Sequence, residues 1–438
     1  MHEQRGLGMG ATILRRRWSA LGIATVALAA MLVGCAPTGT VEIDVPAQVE
    51  GDFPAETQSQ LDAALAEAMA ATGASGAIVG VWAPWSGSWV AGVGTQSPTS
   101  SQAVTSDMEF RASRVTRAMT CDVLYALVDR EVVAREDNVS EYVGGASGLE
   151  DVTLGQLCDS TSGIGASAPS LWNDWLKTPN RQWPPLELAA YGMGRERTSS
   201  PGAAFVDSDA GYFLLGVALE TATTTSLPEL FEQYVTEPLS LDSTWLPGSA
   251  AATPAGDTGA PSLQGNNSLP GEDGQLLCAD PLEITELSAS IGFADSGAVS
   301  TIADLGRYAQ ALATGALLGD DQTRFDSPRE AYPGAPTWYT YDGGAFAAGG
   351  LIGQHGAIPG YLTAAYADPD TGLTVAVVLN NSAAPAGIAA NLAWELAAIA
   401  SKAPAAAGET APPAGLPWTA EQQAEAIRGA AVCPLPQQ

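Results

Sequence analysis

"YLTAAYADPDTGLTVAVVLNN", Tyr361 to Asn381, sets two β-rich apolar runs on either side of a "DPDTG" turn. "GGLIGQ" (Gly349 to Gln354) stands just before it and predicts another strand. A second group of strand signals lies far upstream, where "GAIVGVWAP" (Gly76 to Pro84) and "GSWVAGVGT" (Gly87 to Thr95) flank a "WSG" turn and predict a hairpin. Between the two groups, from Phe110 to about Leu318, the patterns are mostly helical, with loops rich in Gly, Pro and Ser, the longest at roughly 248–281. Helical spacing also precedes the hairpin, in "SQLDAALAEAMAA" (Ser59 to Ala71), and follows the last strand, in the Ala-rich run from Ile388 to Ala400. Strands at both ends bracketing a helical middle imply one sheet completed by both termini. Such a sheet carries a long helical insertion, with any cleft between the two.

The chain has 438 residues, 46% of them hydrophobic and 15% charged, enough to bury one large core or two moderate ones. Its 48 acidic against 18 basic residues give a net charge of −30. That balance argues against partners recognised through phosphate, so nucleic acid is excluded as an expected ligand.

Arg15, Arg16 and Arg17 precede an apolar run from Ala20 to Val33 that ends in "LVGC" (Leu32 to Cys35). The run is short for a membrane span and has the layout of a targeting segment over residues 1–34. "LVGC" resembles a bacterial lipobox, which implies cleavage before Cys35 and a lipid anchor on that cysteine at the outer face of the cytoplasmic membrane. An ordinary signal peptide is the alternative. Removing residues 1–34 takes away four arginines and one glutamate, so −30 − 3 gives −33. Residues 35–55 then read as a polar, proline-containing tether, and residues 401–438 as an Ala/Pro linker (Ala403 to Pro417) and a short final helix.

Four further cysteines, Cys121, Cys158, Cys278 and Cys433, predict two disulfides in an oxidising compartment, with three connectivities open and four free thiols as the alternative. No metal site is expected, since the histidines are only His2, in the removed segment, and His355; no other cofactor is expected either.

Residues 59–400 resemble the serine β-lactamase and D-alanyl-D-alanine carboxypeptidase-like superfamily, in the style of its class C β-lactamase and esterase branch. The resemblance is carried, in order, by "FRASRVTRAMT" (Phe110 to Thr120), "TLGQLCDSTSGI" (Thr153 to Ile164), "PGAAFVDSDAGYFLLG" (Pro201 to Gly216), "YVTEPLSLDST" (Tyr234 to Thr244), "SGAVSTIADLGRYAQAL" (Ser296 to Leu312) and the run from Gln354 to Asn381. It implies an α/β (α+β) fold of the β-lactamase/transpeptidase type: an antiparallel sheet from about 76–100 and 340–382, flanked by helices, with the helical region at about 110–318. It also implies that Cys121 pairs with Cys158, beside the first catalytic helix, which leaves Cys278 for Cys433.

Chemistry of this kind needs a serine at a helix N-terminus, with a lysine at i+3 to take its proton. It also needs a Tyr-x-Asn or Ser-x-Asn motif as proton shuttle, and a Lys/His-Thr-Gly edge strand beside the oxyanion. The family pattern F-R-x-[AG]-S-[VI]-T-K, registered on Phe110, Arg111, Val115 and Thr116, puts Arg114 at the nucleophile and Arg117 at the lysine. The tyrosine and asparagine of the second motif become Asp207 and Asp209, and the third motif reads Gln354, His355, Gly356. The neighbouring H-T-S-G reads Ser160, Thr161, Ser162, Gly163. A guanidinium is neither nucleophile nor usable base. Losing the nucleophile alone costs serine enzymes on the order of a million-fold in turnover.

Two positions have become cationic and two anionic, which predicts Arg114 and Arg117 paired with Asp207 and Asp209 across the old cleft as a charge-neutral plug. A competing expectation is a carboxylate-binding pocket built on Arg114, Arg117, Asp207, Asp209 and His355. A third is an active hydrolase using Ser113, with Arg117 at i+4, or the group Asp207, Asp209 and His355. Glycoside chemistry fits poorly, because residues at i and i+2 do not flank a sugar. The expected role is binding or scaffolding in the cell envelope, with a peptidoglycan peptide or another envelope protein as partner, and the membrane reached only through the lipid anchor.

Overall fold

The structure is a computed structural model that describes residues 39–435 apart from 146, 249–259, 321 and 414. The expected signal segment and the lipidated Cys35 lie outside the described residues. Helix α1 (Ala55–Thr72) leads into strands β1 (Gly76–Ala83) and β2 (Gly87–Gly94). The chain then passes through α2 (Val115–Asp129), α3 (Asp209–Thr223) and α4 (Ile302–Thr314), with short helices at Leu154–Cys158, Ala168–Lys177 and Pro185–Met193 between α2 and α3. Strands β3 (Arg329–Glu330), β4 (Tyr339–Asp342), β5 (Ala345–Ala348), β6 (Leu351–Ile358), β7 (Tyr361–Ala367) and β8 (Thr374–Leu379) follow, then helices α5 (Gly387–Ala400) and α6 (Ala420–Gly429).

The eight strands form one antiparallel sheet in the order β2-β1-β8-β7-β6-β5-β4-β3. Both termini complete it: β1 lies against β8, with Ala77 opposite Leu379 and Trp82 opposite Thr374. Side chains alternate between the two faces. Ile78, Ala376 and Val378 join the core under α2 and α4, whereas Val79, Val375 and Val377 meet α1 and α5. Helices on both faces explain why β7 and β8 are buried at every position. The sheet extends further than the expected 340–382, because the short edge pair β3 and β4 starts at Arg329.

From residue 39 onward the segment read as a tether lies along the body instead. In "VEIDV" (Val41 to Val45) half-buried apolar residues alternate with exposed acids, and Val41 and Ile43 pack against the core. The Val41 amide donates to the Pro238 carbonyl (2.8 Å), and the Gln48 side-chain amide donates to the carbonyls of Ala83 and Gly87 (3.2 and 3.1 Å).

The Ala/Pro stretch is also pinned, since the Trp85 indole donates to the Ala403 carbonyl (3.2 Å) and the Ala406 amide to that of Trp85 (2.8 Å). Disulfides join Cys121 of α2 to Cys158, and Cys278 of the long loop to Cys433 behind α6. The second one sits against the end of α1, where Gly73 has φ 70° and a Cβ would lie 2.5 Å from the Cys433 sulfur. Glycine is required there on both counts. Among the described residues no helix is long and apolar enough to cross a membrane, and no group of three or more His, Cys, Asp or Glu could hold a metal ion.

Candidate functional site

Helix α2 begins on a tight turn in which the amides of Val115, Thr116 and Arg117 donate to the carbonyls of Ala112, Ser113 and Arg114 (3.3, 3.1 and 3.0 Å). The turn is fixed from behind, where Phe110 and Arg111 pair with Ser300 and Val299 and the Arg111 guanidinium donates to the Leu287 carbonyl. Burial pushes the Arg111 pKa down to about 10, so it stays charged at neutral pH. Ser113 takes φ 52°, a left-handed conformation uncommon for serine. This elbow aims Arg114 outward and leaves Ser113 itself fully buried, its hydroxyl no nearer than 3.5 Å to a partner, the Tyr361 carbonyl. Ser113 therefore has neither a base beside it nor access for a substrate.

Arg114 and Arg117 converge on one carboxylate. Asp207 Oδ2 accepts from Arg114 Nη1 at 2.7 Å, and Asp207 Oδ1 accepts from Arg117 Nη1 at 2.8 Å. Asp207 is delivered by a loop hung on the Ser160–Gly163 strip, where the Val206 amide donates to the Ser160 carbonyl (2.8 Å) and the Gly202 amide to that of Thr161 (2.7 Å). Arg117 has a second anion: its Nε donates to Asp295 Oδ1 at 2.7 Å, and its guanidinium lies 4.8 Å from the Tyr212 ring centre. Burial opposes ionisation of Asp207, but the charges of Arg114 and Arg117 outweigh it and hold this carboxyl well below the usual range. Burial likewise works against charge on Arg117, yet Asp295 and Asp207 keep it firmly protonated.

Asp209, expected in the plug, is elsewhere. Its oxygens accept from the amides of Ser167 (2.6 Å) and Ala168 (2.7 Å), at the start of the Ala168–Lys177 helix. The reason is the cap between the two aspartates. Ser208, with φ −139° and ψ 105°, caps α3, so Asp207 precedes the helix and Asp209 is its first residue, and the two side chains diverge. Burial first, then the nearby Asp295 charge, pushes the Asp209 pKa up to about 6. Asp295 takes the plug position that sequence assigned to Asp209.

Strand β6 brings the third segment. The stem of Arg114 lies over Gly356, where a Cβ would sit 2.4 Å from Arg114 Cγ. Gln354 is buried; its Nε2 donates to the Gly344 carbonyl (2.8 Å) and its Oε1 accepts from the His355 amide (2.8 Å). The His355 ring sits among Phe346 and Trp394 (centroids 4.8 and 6.5 Å), with Nδ1 2.8 Å from the Tyr366 hydroxyl. Burial, then the Arg114 charge, pushes its pKa down to about 3, so it is neutral at physiological pH.

These groups surround a cavity of about 240 Å³ lined by Arg114, Arg117, Asp207, Gln354, His355 and the rings of Phe205, Tyr332, Tyr339 and Phe346. The structure thus brings together Arg114, Arg117, Asp207, Gln354, His355 and Gly356, and leaves Asp209 and Ser113 outside. Sequence reasoning missed Asp295 and the aromatic wall. The only trace of the wall was the density of Tyr and Trp between Tyr332 and Phe346. Cation and anion are paired here, and among the described residues of the cleft no serine has a lysine beside it, as the Ser-Lys route to opening an ester or amide requires.

The family profile described as Beta-lactamase matches residues 61–399. Among solved structures, the D-stereospecific amidohydrolase from Streptomyces sp. is 23% identical, with a TM-score of 0.63 over 75% of this chain and 94% of that one. The octameric penicillin-binding protein homologue from Pyrococcus abyssi is 19% identical, with a TM-score of 0.61 over 77% and 75% of the two chains. The D-amino acid amidase from Ochrobactrum anthropi SV3, solved with L-phenylalanine amide, is 19% identical, with a TM-score of 0.61 over 76% and 93%. At these identities the likeness is one of fold.

Proposed function

This chain belongs to the beta-lactamase family, and from that premise we propose that it is a member that binds without hydrolysing, in a recognition or scaffolding role in the cell envelope. The observation that carries the reading is the pair of guanidiniums at the nucleophile and base positions, both tied to Asp207 and one also to Asp295. Among the described residues of the cleft no other group takes their roles. His355 is neutral but faces Tyr366, Asp207 is held as a weakly basic carboxylate by two cations, and Asp209 is occupied by three backbone amides.

The two disulfides support an extracytoplasmic location. The lipid anchor at Cys35 and a peptidoglycan peptide or another envelope protein as partner complete the proposal. The test is turnover of a chromogenic β-lactam and of nitrophenyl esters. Rates at the uncatalysed background are expected; a saturable rate that disappears in Ser113→Ala would overturn the reading in favour of the hydrolase alternative.

A further inference from the structure

We propose that Asp207 is an internal stand-in for a ligand: the Arg114 and Arg117 guanidiniums form a seat for small carboxylates carrying a flat apolar group, which enter by displacing Asp207. The inference rests on the non-hydrolytic reading above and gives that site its ligand chemistry.

The seat has two prongs, since each oxygen of Asp207 meets a different guanidinium, at 2.7 and 2.8 Å. Asp207 does not build it. Arg117 is fixed independently by Asp295 and by the Tyr212 ring, and the Arg114 stem by its contact over Gly356. If Asp207 left, Arg117 would stay in place and Arg114 would keep its stem over Gly356. The start of α2, a helix of 15 residues, adds its own preference for negative charge.

Asp207 is the most exposed member of the group. Its side chain is 44% exposed, against 6% for Asp295, so it can turn to water at little cost in desolvation. Exchange keeps the pairing at the guanidiniums one for one, with a ligand carboxylate in place of Asp207 and Asp207 turned to solvent. The complex still gains one negative charge on a chain of net charge −30, which holds the affinity of the unsubstituted protein down. The rest of the ligand is defined by the cavity of about 240 Å³, roughly eight water volumes, walled by Phe205, Tyr332, Tyr339 and Phe346. Flat rings stack favourably on such walls.

The probes are phenylacetate and its uncharged isostere phenylacetamide, titrated calorimetrically into the purified protein. Asp207→Asn is expected to bind phenylacetate about tenfold tighter or better than the unsubstituted protein, because the internal competitor is gone. Adding Arg114→Gln to that variant should remove the binding, and phenylacetamide should bind to neither. Asp207→Ser repeats the comparison without a side-chain amide. Equal affinity for acid and amide, no gain in either Asp207 variant at an intact melting temperature, or indifference to Arg114→Gln would overturn the proposal. Turnover of a lactam or ester would refute the non-hydrolytic reading alone. Absence of both turnover and carboxylate binding would refute the seat alone.

Discussion

Helix α2 carries two Arg-Asp networks five residues apart, and they are built for different ends. At Arg117 the network runs outward to Asp207 at the rim of a cavity. At Asp122 it runs inward: Arg324 donates to Asp122 Oδ1 and to the Gly343 carbonyl, and the Tyr308 hydroxyl donates to Asp122 Oδ2 at 2.6 Å. Arg324 and Asp122 are 4% and 2% exposed, and they tie α2 to α4 and to the turn between β4 and β5. Burial pushes the Asp122 carboxyl up, against the pull of the Arg324 charge. The same pair of residue types is thus a structural joint when both members are enclosed, and an exchangeable contact when the anion stands half in water. Enclosure, not the presence of the pair, distinguishes them.

The sharpest way to break this distinction is at the enclosed end. Asp122→Asn leaves Arg324 buried without its anion and should cost on the order of 3–5 kcal/mol, read as a lower urea midpoint; a loss no larger than that of Asp207→Ala would remove the contrast. Asp295→Asn takes one of two anions from Arg117, and the expected cost is smaller, about 2–3 kcal/mol, by the same measurement.

Acidity gives a third test. Burial pushes the carboxyls of Asp159 and Glu395 up to about 7 and that of Asp209 up to about 6. A carboxyl whose folded pKa is raised binds its proton more tightly in the folded state, so stability falls as pH climbs from the unfolded value through the folded one. The melting temperature should therefore be higher at pH 5.5 than at pH 7.5, by the equivalent of up to about 2 kcal/mol per group. Asp207 has the opposite sign. Its folded pKa lies well below its unfolded one, so its contribution is present at both of those pH values and is lost only in acid, below about pH 4. The smallest effect belongs to Asp207→Ala at neutral pH, under about 1 kcal/mol, since Asp295 still balances Arg117; a loss of several kcal/mol would make Asp207 structural.

Much of the fold and of the cleft is legible in the sequence. The β8 run reads as a strand because alternate residues face different helices, and "DPDTG" is a turn because Asp368 Oδ1 accepts the amides of Asp370 and Thr371 (2.9 and 3.0 Å). Fixed motif spacing carried Arg114, Arg117 and Asp207 into one cleft. Asp295 was not legible, because "FADSG" holds no local signal for a contact made 178 residues away in sequence. Asp209 misled for the opposite reason. A carboxylate two residues from Asp207 looks like its twin until the Ser208 cap turns the chain. The supposed tether shows the same limit, since an alternation as short as "VEIDV" is weak evidence until the surface it lies on is known.

The central claim is that the charged cleft cannot form a covalent intermediate. Intact-protein mass spectrometry after incubation with benzylpenicillin, and separately with a nitrophenyl ester, tests it most directly. An unchanged mass is expected in both. A stoichiometric adduct, mapped by peptide analysis to Ser113 or to another residue of the Arg114 cleft, would contradict it.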